Sequence, residues 1–401
     1  MLITGNQQLI RNVNRQAILR EIRKRPGISR SDLAELTGLT RAAIGRLVEG
    51  LTADGWLVEE VRTVSSSLGR RPTPLVFDPF RLVLLGAHIN AERSRVVACT
   101  LSGEVFEQNV LSTEGLSATD VLNTLAQQIG SMQRRFMTAG RRVCGIGVAV
   151  PGPVDPISGA LRFSESTGWA MLPVRAGLQT RLNEMDLPQV PLMVERALNC
   201  IALQHAENNR LELNEALLYV HAGQSVAVST MLHGHLVRGQ NGMAGYVAHQ
   251  TLRTDGPLCS CGRAGCVQAM LTLGALSRRI GLPYSLGMSA PMESVMKALV
   301  AKESETVVAL DEYCDLFSAF VYNLSQIYDP ARIFVGGLVF QAIPGLMAQL
   351  QLKLEAMCAE AALDAPQVQL MQSDGQSAAQ GAAAGVLRAL LSLETALPQH
   401  T

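Results

Sequence analysis

The sequence predicts an α/β protein in which a small helix-turn-helix head precedes a larger body of two α/β lobes. Three observations carry this reading. Ser29 to Leu51 reads as two short helices joined at a glycine turn, and β-rich stretches followed by helices begin near Leu82 and again near Glu215. The third is length: 401 residues exceed what one small core organises, so two or three domains are expected. With 48% hydrophobic and 17% charged residues the chain has the composition of an ordinary globular protein. Aromatics at 4% argue against a surface built for stacking on single-stranded nucleic acid. No uninterrupted apolar run reaches about 18 residues, so no spanning helix and no membrane partner are expected. The first residues lack the order of a secretion signal, and the expected location is the cytoplasm.

Net charge is zero, but it is unevenly spread. Residues 1–75 hold twelve Arg or Lys against seven Asp or Glu, which leaves the head at +5 and the remainder at −5. A basic head on an acidic body suits contact with double-stranded DNA through one small domain. Ile10, Val13, Ala17, Ile18 and Ile22 recur at helical spacing and predict a first helix ending before Pro26–Gly27. Ser29 with Asp32 predicts a capping box for the second helix, and Thr37–Gly38–Leu39 the turn after it. A third helix from Thr40 turns Ile44, Leu47, Val48 and Leu51 inward. Thr40, Arg41, Ala42, Ala43 and Arg46 are then the candidate DNA contacts, small residues allowing close approach and arginines reaching bases or phosphates. Trp56–Val58 reads as a strand and Ser65–Ser66–Ser67 as an exposed turn. Gly69–Arg70–Arg71–Pro72 follows, in the pattern of a wing that lays Arg70 and Arg71 along DNA. A solvated basic linker is the alternative reading, and the passage from head to body is placed near Leu68–Pro79.

In the body, Leu82–Ile89, Arg95–Cys99 and Cys144–Val150 read as strands and Ser117–Phe136 as a helix. Ala216–Val220, Val226–Met231 and Gly234–Val237 open a second sheet, and Arg332–Gly337 reads as a later strand. Glycines at 145, 147, 223, 242, 245, 336 and 337 crowd the strand ends; they either bring backbone close to a ligand in an interlobe cleft or only let the chain turn. There is no Walker-type phosphate loop and no dinucleotide fingerprint. Cys99, Cys144, Cys200, Cys314 and Cys358 are scattered, as suits small buried hydrophobes in a reducing compartment. The other three cluster: Cys259, Cys261 and Cys266 lie among loop glycines just after His249. Three thiolates and an imidazole make a tetrahedral zinc set, and four protein ligands leave no place for a catalytic water. One structural Zn2+ per chain is therefore expected.

Ala244–Gly245–Tyr246–Val247–Ala248–His249 and Cys259–Ser260–Cys261–Gly262–Arg263–Ala264–Gly265–Cys266 resemble the signature of the ROK family of bacterial sugar kinases and sugar-responsive repressors. Gly145–Ile146–Gly147–Val148–Ala149–Val150–Pro151–Gly152–Pro153–Val154–Asp155 and Asp329–Pro330–Ala331–Arg332–Ile333–Phe334–Val335–Gly336–Gly337 are similar to it too, so the resemblance covers essentially the whole chain. The head resembles that of the repressor branch, the NagC, Mlc and XylR type. The resemblance implies a winged helix-turn-helix followed by a two-lobed, actin-like, sugar-kinase-like (ribonuclease H-like) body, zinc at His249, Cys259, Cys261 and Cys266, and a homodimer or homotetramer on an operator. The expected division is a head at 1–80, a first lobe at 81–197 and a second lobe at 198–401, with the C-terminal helix as a candidate to return to the first lobe.

Departures from the family decide the enzyme question. The family's Glu-Asn-Asp, whose aspartate takes the sugar proton, corresponds to Glu195–Arg196–Ala197. A methyl group accepts no proton. The phosphate loop Asp-x-Gly-Gly-Thr is replaced by a stretch carrying His88, Asn90 and Glu92, and the second phosphate segment reads His221–Ala222–Gly223–Gln224–Ser225–Val226. No catalytic residue is therefore assigned. Sugar-binding positions of the family fall at Ser166, Tyr246 and Gln268; with Arg196 and His249 they form the candidate effector set, suited to an unusual, acidic or phosphorylated sugar. The leading expectation is a regulator, more readily a repressor, of carbohydrate uptake or catabolic genes under a sugar or sugar-phosphate effector. A regulator with a vestigial cleft, constitutive or controlled by a partner protein, is the alternative, and a DNA-binding sugar kinase the third.

Overall fold

The structure, a computed structural model, describes residues 7–60, 73–209, 211, 215–282, 297, 304–343, 345–372 and 374–392. The head opens with α1 (Gln7–Lys24), α2 (Arg30–Thr37) and α3 (Arg41–Ala53). Ser29 caps α2: its side chain accepts from the Asp32 N–H, and the Asp32 carboxylate accepts from the Ser29 N–H. Gly38 closes α2 at φ 69°, a left-handed value that costs glycine nothing. Ile18, Leu19, Ile22, Leu33, Ile44, Leu47, Val48 and Leu51 form the buried face of the three helices. Ile10 stands 52% exposed, so the apolar stripe read along α1 is buried only in its second half.

Strands β1 (Leu57–Glu59) and β2 (Leu75–Phe77) then pair antiparallel, Leu57 opposite Phe77 and Glu59 opposite Leu75. The predicted wing is therefore a hairpin at its base. Its tip, with Arg70 and Arg71, lies outside the described residues. The segment read as a linker holds the second strand of this hairpin, and the chain passes into the body through one tight turn in which Asp78 Oδ1 accepts from the Phe80 and Arg81 N–H groups.

The chain forms two compact units, Met1–Arg210 with Gln376–Thr401, and Leu211–Gly375. The first includes the head, whose core is continuous with that of the body. Ile18, Ile22 and Leu51 share one apolar cluster with Leu82, Leu84 and Val97 of the first sheet and with Val386 and Leu387 near the C-terminus. That sheet contains β3 (Leu82–His88), β4 (Arg93–Cys99), β5 (Val105–Ser112), β6 (Arg142–Val150) and β9 (Leu192–Arg196) in the order β5-β4-β3-β6-β9. The β5-β4-β3 run is antiparallel and the β3-β6-β9 run parallel. Helices α4 (Ala118–Thr138) and α5 (Val174–Asn183) cover one face, and the hairpin β7 (Leu161–Phe163) with β8 (Ala170–Leu172) precedes α5. Helix α6 (Ala197–Asn208) leaves β9 directly and stays within this unit, past the boundary placed at residue 197. The C-terminal helix, Ser377–Leu390, packs on the same unit.

The second unit repeats the plan. β10 (Leu217–Ala222), β11 (Val226–Leu232), β12 (His235–Leu236), β13 (Arg332–Gly336) and β14 (Gln367–Leu370) form a sheet ordered β12-β11-β10-β13-β14, antiparallel then parallel in the same sequence. Its helices are α7 (Val267–Leu271), α8 (Leu273–Arg279), α9 (Ser304–Tyr328), α10 (Leu338–Ala342) and α11 (Leu346–Glu360), which makes the C-terminal helix α12. Tyr313, Phe317, Phe320 and Phe340 fill the core between sheet and helices.

Candidate metal centre and DNA-reading head

The strand-end glycines seat protein rather than a ligand at several positions. A Cβ at Gly147 would lie 1.9 Å from the Ala382 carbonyl oxygen, and one at Gly86 equally close to that of Ala379, so both admit the backbone of α12. Gly337 admits the Ala222 carbonyl in the same way, at 1.9 Å. Packing, not ligand approach, accounts for these glycines.

The metal cluster is built by two short turns. Gly262 at φ 84° and Gly265 at φ 68° reverse the chain between the cysteines, and a side chain at 265 would collide with the Arg253 carbonyl, 1.4 Å from where its Cβ would stand. The Cys259 N–H donates to the Arg263 carbonyl at 2.8 Å, and the Gly262 N–H to that of Cys259 at 3.0 Å. Cys266 then stands just before the start of α7. The result brings one donor atom from each of His249, Cys259, Cys261 and Cys266 within 4.8 Å of the others. Cys259 Sγ lies 3.6 Å from His249 Nδ1, and Cys261 Sγ 3.6 Å from Cys266 Sγ. Donors around tetrahedral zinc stand roughly 3.5–3.8 Å apart, given Zn–S and Zn–N bonds of about 2.3 and 2.0 Å, whereas a disulfide needs about 2.05 Å. The donor set and spacing fit a metal ion and not a disulfide.

Around this cluster, the Arg263 guanidinium donates to the His249 carbonyl, and Tyr246 meets the imidazole edge to face at 5.8 Å. The Arg263 backbone N–H is the largest influence on Cys261 and draws its thiol down, while desolvation pushes the neighbouring Cys266 thiol up. Arg263 was not among the residues the sequence singled out; its only signal is its place between ligands. Among the scattered thiols, burial pushes Cys99 and Cys144 up to about 12, where they are inert.

The remaining candidates separate by unit. In the first, Ser166 is exposed in the β7–β8 turn, its hydroxyl 3.2 Å from that of Ser164. Arg196, 6% exposed, ends β9 and donates through Nη2 to Asn199 Oδ1 at 2.9 Å. Glu195 Oε1 accepts from the Arg196 N–H and from Asn199 Nδ2, each at 2.8 Å. Asn199 completes this buried triad; its signal in the sequence was the i+4 spacing from Glu195 across the start of α6. Ala197 opens that helix. In the second unit, Gln268 Oε1 accepts from the Val226 N–H and Nε2 donates to the Gln224 carbonyl, both at 3.2 Å. Gln268 thus holds the β10–β11 turn, where an N–H free for phosphate would be required. The β3–β4 turn is likewise closed on itself: Asn90 Oδ1 accepts from the Glu92 N–H and its carbonyl from the Thr113 hydroxyl.

On the head, Arg41, Ala42 and Arg46 are exposed on α3 and Ala43 is half-buried. The Thr40 hydroxyl accepts the Ala43 N–H at 3.2 Å as the cap of that helix. Thr40 therefore has a structural duty at the position read as a DNA contact.

A winged helix-turn-helix DNA-binding family model matches residues 11–58, and the ROK family model matches residues 92–389. The chain belongs to the ROK family. It is 22% identical over 347 residues to the xylose repressor of Bacillus subtilis, 86% of this chain and 88% of that one. It is 25% identical to the DNA-binding transcriptional dual regulator NagC of Escherichia coli over 96% of this chain and 95% of NagC. Among solved structures, a ROK family transcriptional regulator homologous to Escherichia coli Mlc superposes with a TM-score of 0.77 at 18% identity, over 96% and 97% of the two chains. A ROK hexokinase from Thermus thermophilus matches at 0.63 and 21% identity, 97% of it on 75% of this chain. The ROK chain described here is a sequence-specific DNA-binding transcriptional regulator related to the NagC and XylR type, with a body of sugar-kinase-like fold.

Proposed function

We propose that this ROK regulator represses genes of carbohydrate uptake or catabolism by binding an operator as a cytoplasmic homodimer or homotetramer, and that a sugar or sugar phosphate bound by its body relieves binding. What supports the reading is an exposed arginine-bearing α3 face together with Ala197, at the start of α6, as the residue that the family resemblance matches to the proton acceptor. The carbohydrate class comes from the relatives, named as a xylose repressor and an N-acetylglucosamine repressor. Arg41, Arg46 and the wing arginines Arg70 and Arg71 would contact DNA, with Thr40, Ala42 and Ala43 lining the approach. One zinc held by His249, Cys259, Cys261 and Cys266 would stabilise the body without taking part in chemistry, since all four positions are protein ligands. The effector would act by shifting the population of head spacings that engage both half-sites.

Ser166, Arg196, Tyr246, His249 and Gln268 are the proposed effector residues, and Arg196 gives the body a buried cation suited to an acidic or phosphorylated sugar. A second reading is favoured by one observation: Gln268 spends its amide on the β10–β11 turn. In that reading the body binds no sugar, and the regulator is constitutive or controlled by a partner protein.

Selecting duplexes from a random pool with the intact chain tests the first reading, with thermal shift against sugars and sugar phosphates. Enrichment of one sequence and a shift with one ligand class are expected. Failure to enrich any duplex overturns the regulator reading, and enrichment without any ligand shift favours the second.

A further inference from the structure

The C-terminal end of α6 carries a carboxylate shared between head and body. Glu207 Oε1 lies 3.3 Å from Arg23 Nη2 of α1 and 3.1 Å from Arg388 Nη1 of α12. The three side chains are only 20–29% exposed, so this network is less screened than an open surface pair. Beside it, Gln16 Nε2 of α1 donates to the Leu390 carbonyl at 3.3 Å, and Ile18 and Ile22 share a core with Val386 and Leu387. The head is thus gripped by the ends of α6 and α12 together.

Those two helices are one mechanical piece. A Cβ at Gly381 would lie 1.8 Å from the Cys200 carbonyl oxygen, and one at Gly385 3.3 Å from Leu203 Cδ1. The contacts Cys200–Gly381, Leu203–Gly385 and Glu207–Arg388 rise in step, so the helices run parallel with backbones in van der Waals contact. At 1.5 Å per residue, α6 spans about 18 Å. Its near end is the Glu195–Arg196–Asn199 triad, and its far end is Glu207. A close-packed helix pair transmits displacement instead of absorbing it.

We propose that Glu207 is the joint through which the state of the triad at the start of α6 is passed to the DNA-reading head, by way of Arg23 and Arg388. The inference rests on the regulator reading and adds its route. Strengthening the triad or displacing it moves the α6–α12 pair, and the pair carries the head with it through Glu207 and the contacts beside it. Glu207→Gln keeps the shape of the side chain and removes the charge that binds both arginines.

The test reads amide hydrogen exchange of α1 in the full chain, and affinity for a duplex selected from a random pool by the wild-type chain. In Glu207→Gln, the α1 amides are expected to exchange about tenfold faster while α4 and α9 stay unchanged, because only the joint is loosened. Asn199→Ala, at the opposite end of α6, should alter α1 exchange and duplex affinity at least about threefold in the wild-type background and less than about twofold in the Glu207→Gln background. Arg196→Lys serves the same purpose where Asn199→Ala does not fold. Unchanged α1 exchange in Glu207→Gln, no effect of either triad variant on α1, or a triad effect undiminished by Glu207→Gln would each overturn the proposal. A wild-type chain that selects no duplex would overturn the regulator reading instead, and the exchange measurements would still decide the joint.

Discussion

At Arg46 the guanidinium stands exposed on α3, a helix whose opposite face is locked by Ile44, Leu47, Val48 and Leu51. Arg46→Ala should cost about 1–3 kcal/mol of operator affinity and relax sequence selectivity if the arginine reads a base edge. Binding assays on the selected duplex and its point variants check this, and an unchanged preference would place Arg46 on the backbone. His88 makes a different single-residue prediction. Burial, followed by the cross-strand charge of Arg95, lowers its pKa from 6.5 to about 4. Because the folded value is depressed, the stability due to the neutral imidazole is fully present above pH 6.5 and is lost as pH falls toward 4. Urea midpoints of the wild type and His88→Gln should therefore converge between those limits, and parallel curves would refute the assignment. The sequence exposed Arg46 because helical periodicity sorts faces; it could not expose the partial burial of His88, which depends on strands far apart in the chain. Ile10 failed for the converse reason, since periodicity says which residues share a stripe but not how far a neighbour covers it.

Elements were most legible where local chemistry closes them. The Ser29–Asp32 box and Gly38 are satisfied within a few residues, so the sequence alone fixes both ends of α2. Ser29→Ala should lower stability by about 1 kcal/mol, read as a shift in the denaturant midpoint without change of slope. The hairpin base was less legible. Leu75–Phe77 is a short strand among prolines, and its identity comes from pairing with Leu57–Glu59 across the wing. The metal loop was legible because its ligands lie close in sequence, whereas Gln268 and Arg263 owe their roles to groups that only the fold brings near. Metal analysis should find one zinc per chain, and Cys261→Ser, which removes one soft ligand at nearly constant volume, should lose metal and destabilise the body. A folded, gently purified chain with well below one equivalent would reject the zinc assignment.

Across the whole molecule, both sheets share one strand order, antiparallel and then parallel, and both place their glycines where helix or strand backbones meet. The sequence announced two α/β openings but not their equivalence, because the repeat lies in hydrogen-bond order and not in residue identity. The return of α12 to the first unit, after the chain has built the second, was likewise visible only as a candidate, since no local pattern specifies a partner so distant in sequence. This plan has the fold of a ROK hexokinase, and its residues argue against kinase chemistry. Phosphoryl transfer requires a base at the sugar hydroxyl and N–H groups free to cradle phosphates. Ala197 supplies no base, the Asn90 turn is closed by Thr113 and Glu92, and the Val226 N–H is taken by Gln268. Glu195 lies two residues before Ala197, but it is buried and accepts two hydrogen bonds from Arg196 and Asn199. The intact chain incubated with magnesium ATP and a panel of hexoses, hexosamines and pentoses is therefore expected to release no sugar-dependent ADP while still binding its selected duplex. Sugar-dependent ADP release that vanishes in Glu195→Gln would show that this carboxylate has taken over as base, and would make the chain a DNA-binding kinase.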